Sequence, residues 1–130
     1  MAEIRQTRTF ATTPARLFEA LVDPTQHAAF TGATATGEAE IGAAFTAWDA
    51  YIEGRHLVLE PGVRIVQAWR AADWPPGHWS VVRYDLTQRA SGEVVVHFEH
   101  LGVPNEFVDA IAQGWNDYYW APLTDWLASL

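Results

Sequence analysis

The residues best suited to acid–base or metal chemistry crowd into one short stretch, His97-Phe98-Glu99-His100. In a strand, neighbouring side chains point to opposite faces. His97 and Glu99 then share one face and His100 takes the other, so at most two ligands converge where a metal site needs three or more. The chain has no cysteine, which removes thiolate metal sites, disulfides and a thiol nucleophile. Ser80, Ser91 and Ser129 lie outside any G-x-S-x-G pattern, and no phosphate-cradling glycine motif occurs. All eight basic residues are arginine, so Schiff-base chemistry at a lysine is also absent. One catalytic option remains: a general acid–base pair between His100 and Tyr51, Tyr118, Asp49 or Glu53, which demands that distant groups converge. The sequence assigns no catalytic residue, no metal and no cofactor, and a non-enzymatic role is the expectation.

Binding is better supported than catalysis. The 130 residues include seven Trp, six Phe and four Tyr. Alternation from Val94 to Leu101 puts Val94, Val96, Phe98 and His100 on the more apolar face. From Val63 to Arg70 it groups Val63, Ile65, Gln67 and Trp69 inward and leaves Arg64 and Arg70 outside. Trp115, Tyr118 and Tyr119 fall on one helical stripe, and Trp48 and Tyr51 sit on candidate strands facing it. Large flat rings pack with gaps, and Tyr and Trp add polar handles to an apolar wall. The expected ligand-binding set is therefore Trp48, Tyr51, Gln67, Trp69, Phe98, His100, Trp115, Tyr118 and Tyr119, enclosing a small and largely apolar molecule. The competing reading makes the same rings plain core, with Gln67 and His100 paired internally. Gly114, inside the helical stripe, costs about 1 kcal/mol relative to alanine and points to close approach of a neighbour or a ligand.

Local signals lay out the elements that must hold these groups. Ile4 to Phe10 alternates as an opening strand. Thr13-Pro14 and Asp23-Pro24 each join an N-cap to a proline at the first helical position and predict two short helices, the second ending near Phe30. Strands are expected at Phe45–Trp48, at Tyr51–Leu59 with Gly54 as a bulge or bend, at Val63–Arg70, at Trp79–Leu86 and at Val94–Leu101. Pro61-Gly62, the loop from Asp73 to Gly77, and Ser91-Gly92 separate the later ones. After Gly102-Val103-Pro104, Asn105 reads as the cap of a long terminal helix. Apolar positions at 108, 111, 112, 115, 118, 119, 123, 126 and 127 mark its buried face, with a kink or break at Pro122. An antiparallel meander with one apolar face needs that helix as its cover. The fold class expected is α+β, a single domain over residues 1–130.

Charge narrows the partners. The net charge is −8 and the pI about 4.9, with −2 over residues 1–70 and −6 over residues 71–130. Such an acidic surface disfavours nucleic acid and anionic membranes. No stretch approaches the roughly eighteen apolar residues that span a bilayer, and Met1 to Phe10 has no apolar signal core, so a cytoplasmic protein is expected. A monomer or a homodimer paired through an exposed sheet edge is compatible with this pattern.

The order of elements resembles the helix-grip fold of START-related domains, the SRPBCC superfamily of birch-pollen-allergen-like proteins and polyketide cyclases. More narrowly, the chain resembles stand-alone bacterial members of the family named after activators of the heat-shock chaperone ATPase. The matching segments are Phe30-Thr31-Gly32-Ala33, Phe45-Thr46-Ala47-Trp48-Asp49, Tyr51-Ile52-Glu53-Gly54 and Ile65-Val66-Gln67-Ala68-Trp69-Arg70. They continue with Trp74-Pro75-Pro76-Gly77, Phe98-Glu99-His100, Gly102-Val103-Pro104, Gly114-Trp115 and Tyr118-Tyr119-Trp120-Ala121-Pro122-Leu123. This resemblance implies a curved antiparallel sheet around a long C-terminal helix, with a cavity for apolar molecules between them. It carries over no catalytic set. The alternatives it leaves are a cyclase- or hydrolase-like enzyme on the same scaffold, and a protein-interaction module with a chaperone as partner.

Overall fold

Cap and turn chemistry sets most of the boundaries. In the computed structural model, which describes residues 1–130, β1 (Ala2–Phe10) leads into α1 (Pro14–Val22) and α2 (Pro24–Thr31). The Thr13 hydroxyl accepts from the Arg16 amide at 3.2 Å, and the Asp23 carboxylate accepts from the Gln26 amide at 3.3 Å. Each cap satisfies one of the amides that a helix start leaves without a partner. Gly32, left-handed at φ 76°, ends α2.

The remaining strands are β2 (Thr36–Gly37), β3 (Ala44–Ala47), β4 (Ile52–Glu60), β5 (Arg64–Ala71), β6 (Ser80–Gln88) and β7 (Val94–Val103). They form one antiparallel sheet in the order β1-β7-β6-β5-β4-β3-β2, so β1 closes against the last strand. A turn at Asn105–Phe107 precedes α3 (Val108–Trp115), a π turn (Asn116–Trp120) and α4 (Ala121–Ala128). The sheet grips this C-terminal helix, and the fold is an α+β helix-grip fold.

The core lies between the sheet and the helices. Val94, Val96, Phe98 and His100 of β7 are all buried, as are Ile65, Gln67, Trp69 and Ala71 of β5. The period-two reading of both strands holds. Val63 and Val95 are the exceptions: Val63 precedes β5 in the turn and is 48% exposed, and Val95, on the opposite face of β7, is buried too. Leu17, Leu21, Phe30 and Leu123 cover the same core from the helical side. Burying each such side chain contributes about 1.5–3 kcal/mol.

Five further details depart from expectation. The two-residue strand β2 has too little length to leave a pattern in sequence. Trp48 and Tyr51 belong to the turn between β3 and β4 rather than to strands, because Trp48, Asp49 and Ala50 all take left-handed backbone angles (φ 52°, 55° and 67°). Gly54 lies in regular β4 pairing, where a Cβ would collide with the Phe45 ring and the Ala68 carbonyl, and the irregularity of β4 falls between His56 and Val58 instead. Asn105 makes no capping hydrogen bond, since a 3₁₀ turn rather than an α-helix begins there.

The fifth detail concerns the helix. The irregularity expected at Pro122 is present just before it, as a π turn rather than a break, and the chain stays helical through the proline. The Ala121 amide donates to the Asn116 carbonyl five residues back, a widened turn that accommodates the proline ring. The extra residue also shifts the phase of the helix, so that Trp120 is buried and Tyr118 is 56% exposed. A uniform 3.6-residue period instead places Tyr118 inside and leaves Trp120 out.

Candidate functional site

Three segments bring the aromatic residues together. The β3–β4 turn presents Trp48 and Tyr51. Strands β4 and β5 present Ile52 and Trp69. The C-terminal helix presents Trp115, Tyr118 and Tyr119. Between them lies a cavity of about 600 Å³, completed by Asp73, Phe107, Ala110, Ile111 and Gly114. That volume falls within the range of pockets that enclose small organic ligands.

Depth and polarity change together along the cavity. Ile52, Trp69, Trp115 and Tyr119 are buried and make the floor, whereas Tyr51, Asp73 and Tyr118 are exposed and make the mouth. At the floor the Trp115 and Tyr119 rings sit 4.5 Å apart between centroids. Trp48 meets Tyr118 edge-to-face at 5.2 Å. Backbone bonds tie the mouth in place: the Asp49 amide donates to the Thr34 carbonyl, and the Ala72 amide donates to the Tyr51 carbonyl at 2.8 Å. The Tyr51 hydroxyl donates to Asp73 Oδ1 at 2.7 Å. Partial burial, with the nearby Asp73 carboxylate, pushes the Tyr51 phenol up to about 12. The indole nitrogen of Trp48 is buried and has no hydrogen-bond partner.

Six of the nine residues expected to bind a ligand line this cavity: Trp48, Tyr51, Trp69, Trp115, Tyr118 and Tyr119. Phe98 does not; it is packed at 4.5 Å against the Trp115 ring on the core side. Gln67 lies beside a separate void of about 20 Å³, with its side-chain amide 3.5 Å from His56 Nδ1. Such a space has room for a water molecule and not for a metabolite.

His100 is also off the cavity wall, because its bonds close on themselves. The Trp115 indole donates to His100 Nδ1 at 3.1 Å. The Ser80 hydroxyl donates to the Trp69 carbonyl at 2.7 Å, which leaves its oxygen to accept from His100 Nε2 at 2.8 Å. Burial lowers the His100 pKa to about 3, so the ring is neutral at physiological pH. Tyr51 and Tyr118 belong to the cavity and His100 does not, so the acid–base pair open to the sequence is not assembled. Among the lining residues that sequence reasoning missed, Asp73 sits in a proline-rich loop with no periodicity to reveal its direction. Ile52 and Ile111 carry ordinary core signals, whereas Phe107 and Ala110 lie outside the apolar stripe of the helix. Gly114 is legible in the sequence, but as a point of close approach. A Cβ there would meet only Tyr118 Cδ2, at 3.7 Å, so the glycine keeps the cavity wall thin rather than admitting a neighbour.

Comparison with known proteins places this geometry. A human protein named activator of 90 kDa heat shock protein ATPase homolog 1 is 33% identical over 111 residues, covering 85% of this chain and 32% of that protein. The chain spans about a third of the length of the curated relatives it matches. An HSP90 activator from Plasmodium falciparum superposes with a TM-score of 0.91 at 18% identity, covering 98% of this chain and 97% of the other. An Aha1 dimer from Colwellia psychrerythraea superposes at 0.79 and 17% identity, covering 96% and 95%. At these identities the structural likeness speaks for the fold. No helix is long and apolar enough to cross a membrane. Residues 11–128 match the family described as Activator of Hsp90 ATPase homolog 1-like protein, and the chain belongs to that family.

Proposed function

We propose that this domain binds a small, largely apolar molecule in the cavity between the β3–β4 turn, the sheet and the C-terminal helix. The observation that carries the reading is the cavity itself, about 600 Å³ in volume and lined by ten hydrophobic residues out of twelve. Concave, mostly apolar clefts of this size are few per protein and are the usual seat of small ligands. The closed bonding of His100 supports binding over turnover, since that imidazole does not reach the cavity. Thermal shift against a panel of aromatic and lipid-like metabolites tests the reading, with Gly114→Leu as the blocked control. Ligands should raise the melting temperature of the wild-type protein and leave Gly114→Leu unmoved. Equal shifts in both, or none in either, would overturn it.

Family membership favours a second reading, association with a chaperone of the Hsp90 class. Its support is the family match over residues 11–128 and the 33% identity to the human activator of 90 kDa heat shock protein ATPase homolog 1, of which this chain covers 32%. Addition of the purified protein to such a chaperone should raise its ATPase rate, and an unchanged rate with no co-elution rejects this reading.

A further inference from the structure

The composition of the cavity wall is one-sided. Six of its residues are Trp or Tyr, one is a carboxylate, and none is a cation. Asp73 has no arginine or histidine within salt-bridge distance, and the tyrosine hydroxyl on its Oδ1 is its single side-chain hydrogen bond. Arg70 makes no ion pair with Asp73: its guanidinium pairs with Glu53, donates to the Trp74 and Pro75 carbonyls of the following loop and sits 5.9 Å over the Trp79 ring. The exposed Asp73 carboxylate leaves a negative charge at the mouth with no cation paired to it, which favours a cationic group there and repels an anionic one.

Ring geometry agrees with the charge. Trp48 and Tyr118 meet at 65°, so together they form a corner of two π systems at the mouth. Tyr51 stands beside them, held by Asp73. Aromatic faces attract cations through the ring quadrupole, most strongly for Trp and where the cation sheds water. The net charge of −8 adds a long-range field of the same sign preference.

Building on the cavity-binding reading, we propose that the ligand is a cationic amphiphile, an ammonium or alkylammonium head on an apolar body. The head sits at the mouth against Trp48, Tyr51, Tyr118 and the Asp73 carboxylate. The body lies on the floor against Trp69 and Trp115.

Isothermal titration calorimetry with three probes that share a phenethyl body tests this. The probes are phenethyltrimethylammonium, its uncharged isostere with a quaternary carbon in place of nitrogen, and phenylpropanoate. The cation should bind about tenfold tighter than the isostere, and the carboxylate should not bind. Asp73→Asn keeps an oxygen for the Tyr51 hydroxyl, so it should weaken the cation severalfold and leave the isostere unchanged. An isostere that binds as tightly as the cation, or a cation indifferent to Asp73→Asn, overturns the cationic assignment and leaves the cavity reading standing. Failure of all three probes to bind overturns the cationic assignment, whereas the cavity reading falls only if the thermal-shift panel also leaves the wild-type protein unmoved.

Discussion

The indole N–H of Trp115 donates to Nδ1 of His100 across 3.1 Å, joining the C-terminal helix to the last strand of the sheet. That one bond fixes the histidine as the Nε2–H tautomer and passes a directed chain of donors through Ser80 to the Trp69 carbonyl. A polar network this deep adds stability only when every member is satisfied. Here it is, and the same bonds withdraw His100 from chemistry.

Removing the histidine should therefore be a stability event. His100→Ala leaves the Trp115 N–H and the Ser80 hydroxyl without their partner in a dry core, at a cost of about 3 kcal/mol or more. Urea denaturation of the variant reads this directly as a lower midpoint. An unchanged midpoint would show that the network contributes nothing.

Stability should also fall with mild acid. Burial holds His100 at about 3 and His27 at about 4, and it lowers His56 as well. An unfolded histidine takes up its proton near 6.5, so below that pH the unfolded chain binds protons that the folded chain refuses. The contribution is intact above about pH 6.5 and is lost as pH drops toward the folded values. Each such histidine costs about 1.4 kcal/mol per pH unit in that window. Denaturation midpoints compared at pH 7.5 and pH 5 should differ clearly, and a flat profile contradicts the neutral, buried assignment.

The β3–β4 turn stores backbone strain beside the cavity. Trp48, Asp49 and Ala50 are consecutive non-glycine residues at positive φ, a conformation that costs an L-residue about 1–2 kcal/mol. Ala50 carries no side-chain bond that offsets this, whereas Asp49 accepts from the Thr34 amide at 2.8 Å. Ala50→Gly should raise stability by about 1 kcal/mol, partly reduced by the added freedom of the unfolded chain. Thermal unfolding measures the change, and a destabilised variant would mean that Ala50 makes contacts worth more than its strain.

Local chemistry decided a large share of this protein. Thr13-Pro14 and Asp23-Pro24 mark helix starts because a cap side chain and a proline act on their immediate neighbours. The burial of Val94, Val96, Phe98 and His100 was readable because strand alternation is a property of the backbone. The helix-grip fold and the family came from the order of such segments. Six cavity residues were also within reach, because aromatic enrichment is visible without coordinates.

The tertiary structure decided the rest. The exchange of Tyr118 for Trp120 depends on a π turn, and one widened turn shifts helical phase in a way no periodic template carries. Trp48 leaves its strand through a left-handed run that nothing in its composition announces. Asp73 and Tyr51 are 22 positions apart, and His100 and Trp115 are 15 apart. The first bond exists because β4 pairs with β5, with Ile52 opposite Ala71, and the second because the sheet closes around the helix. A residue's type states which bonds it can make, but only the packed chain chooses its partner, and that choice made His100 a core bond and Asp73 the charge at the cavity mouth.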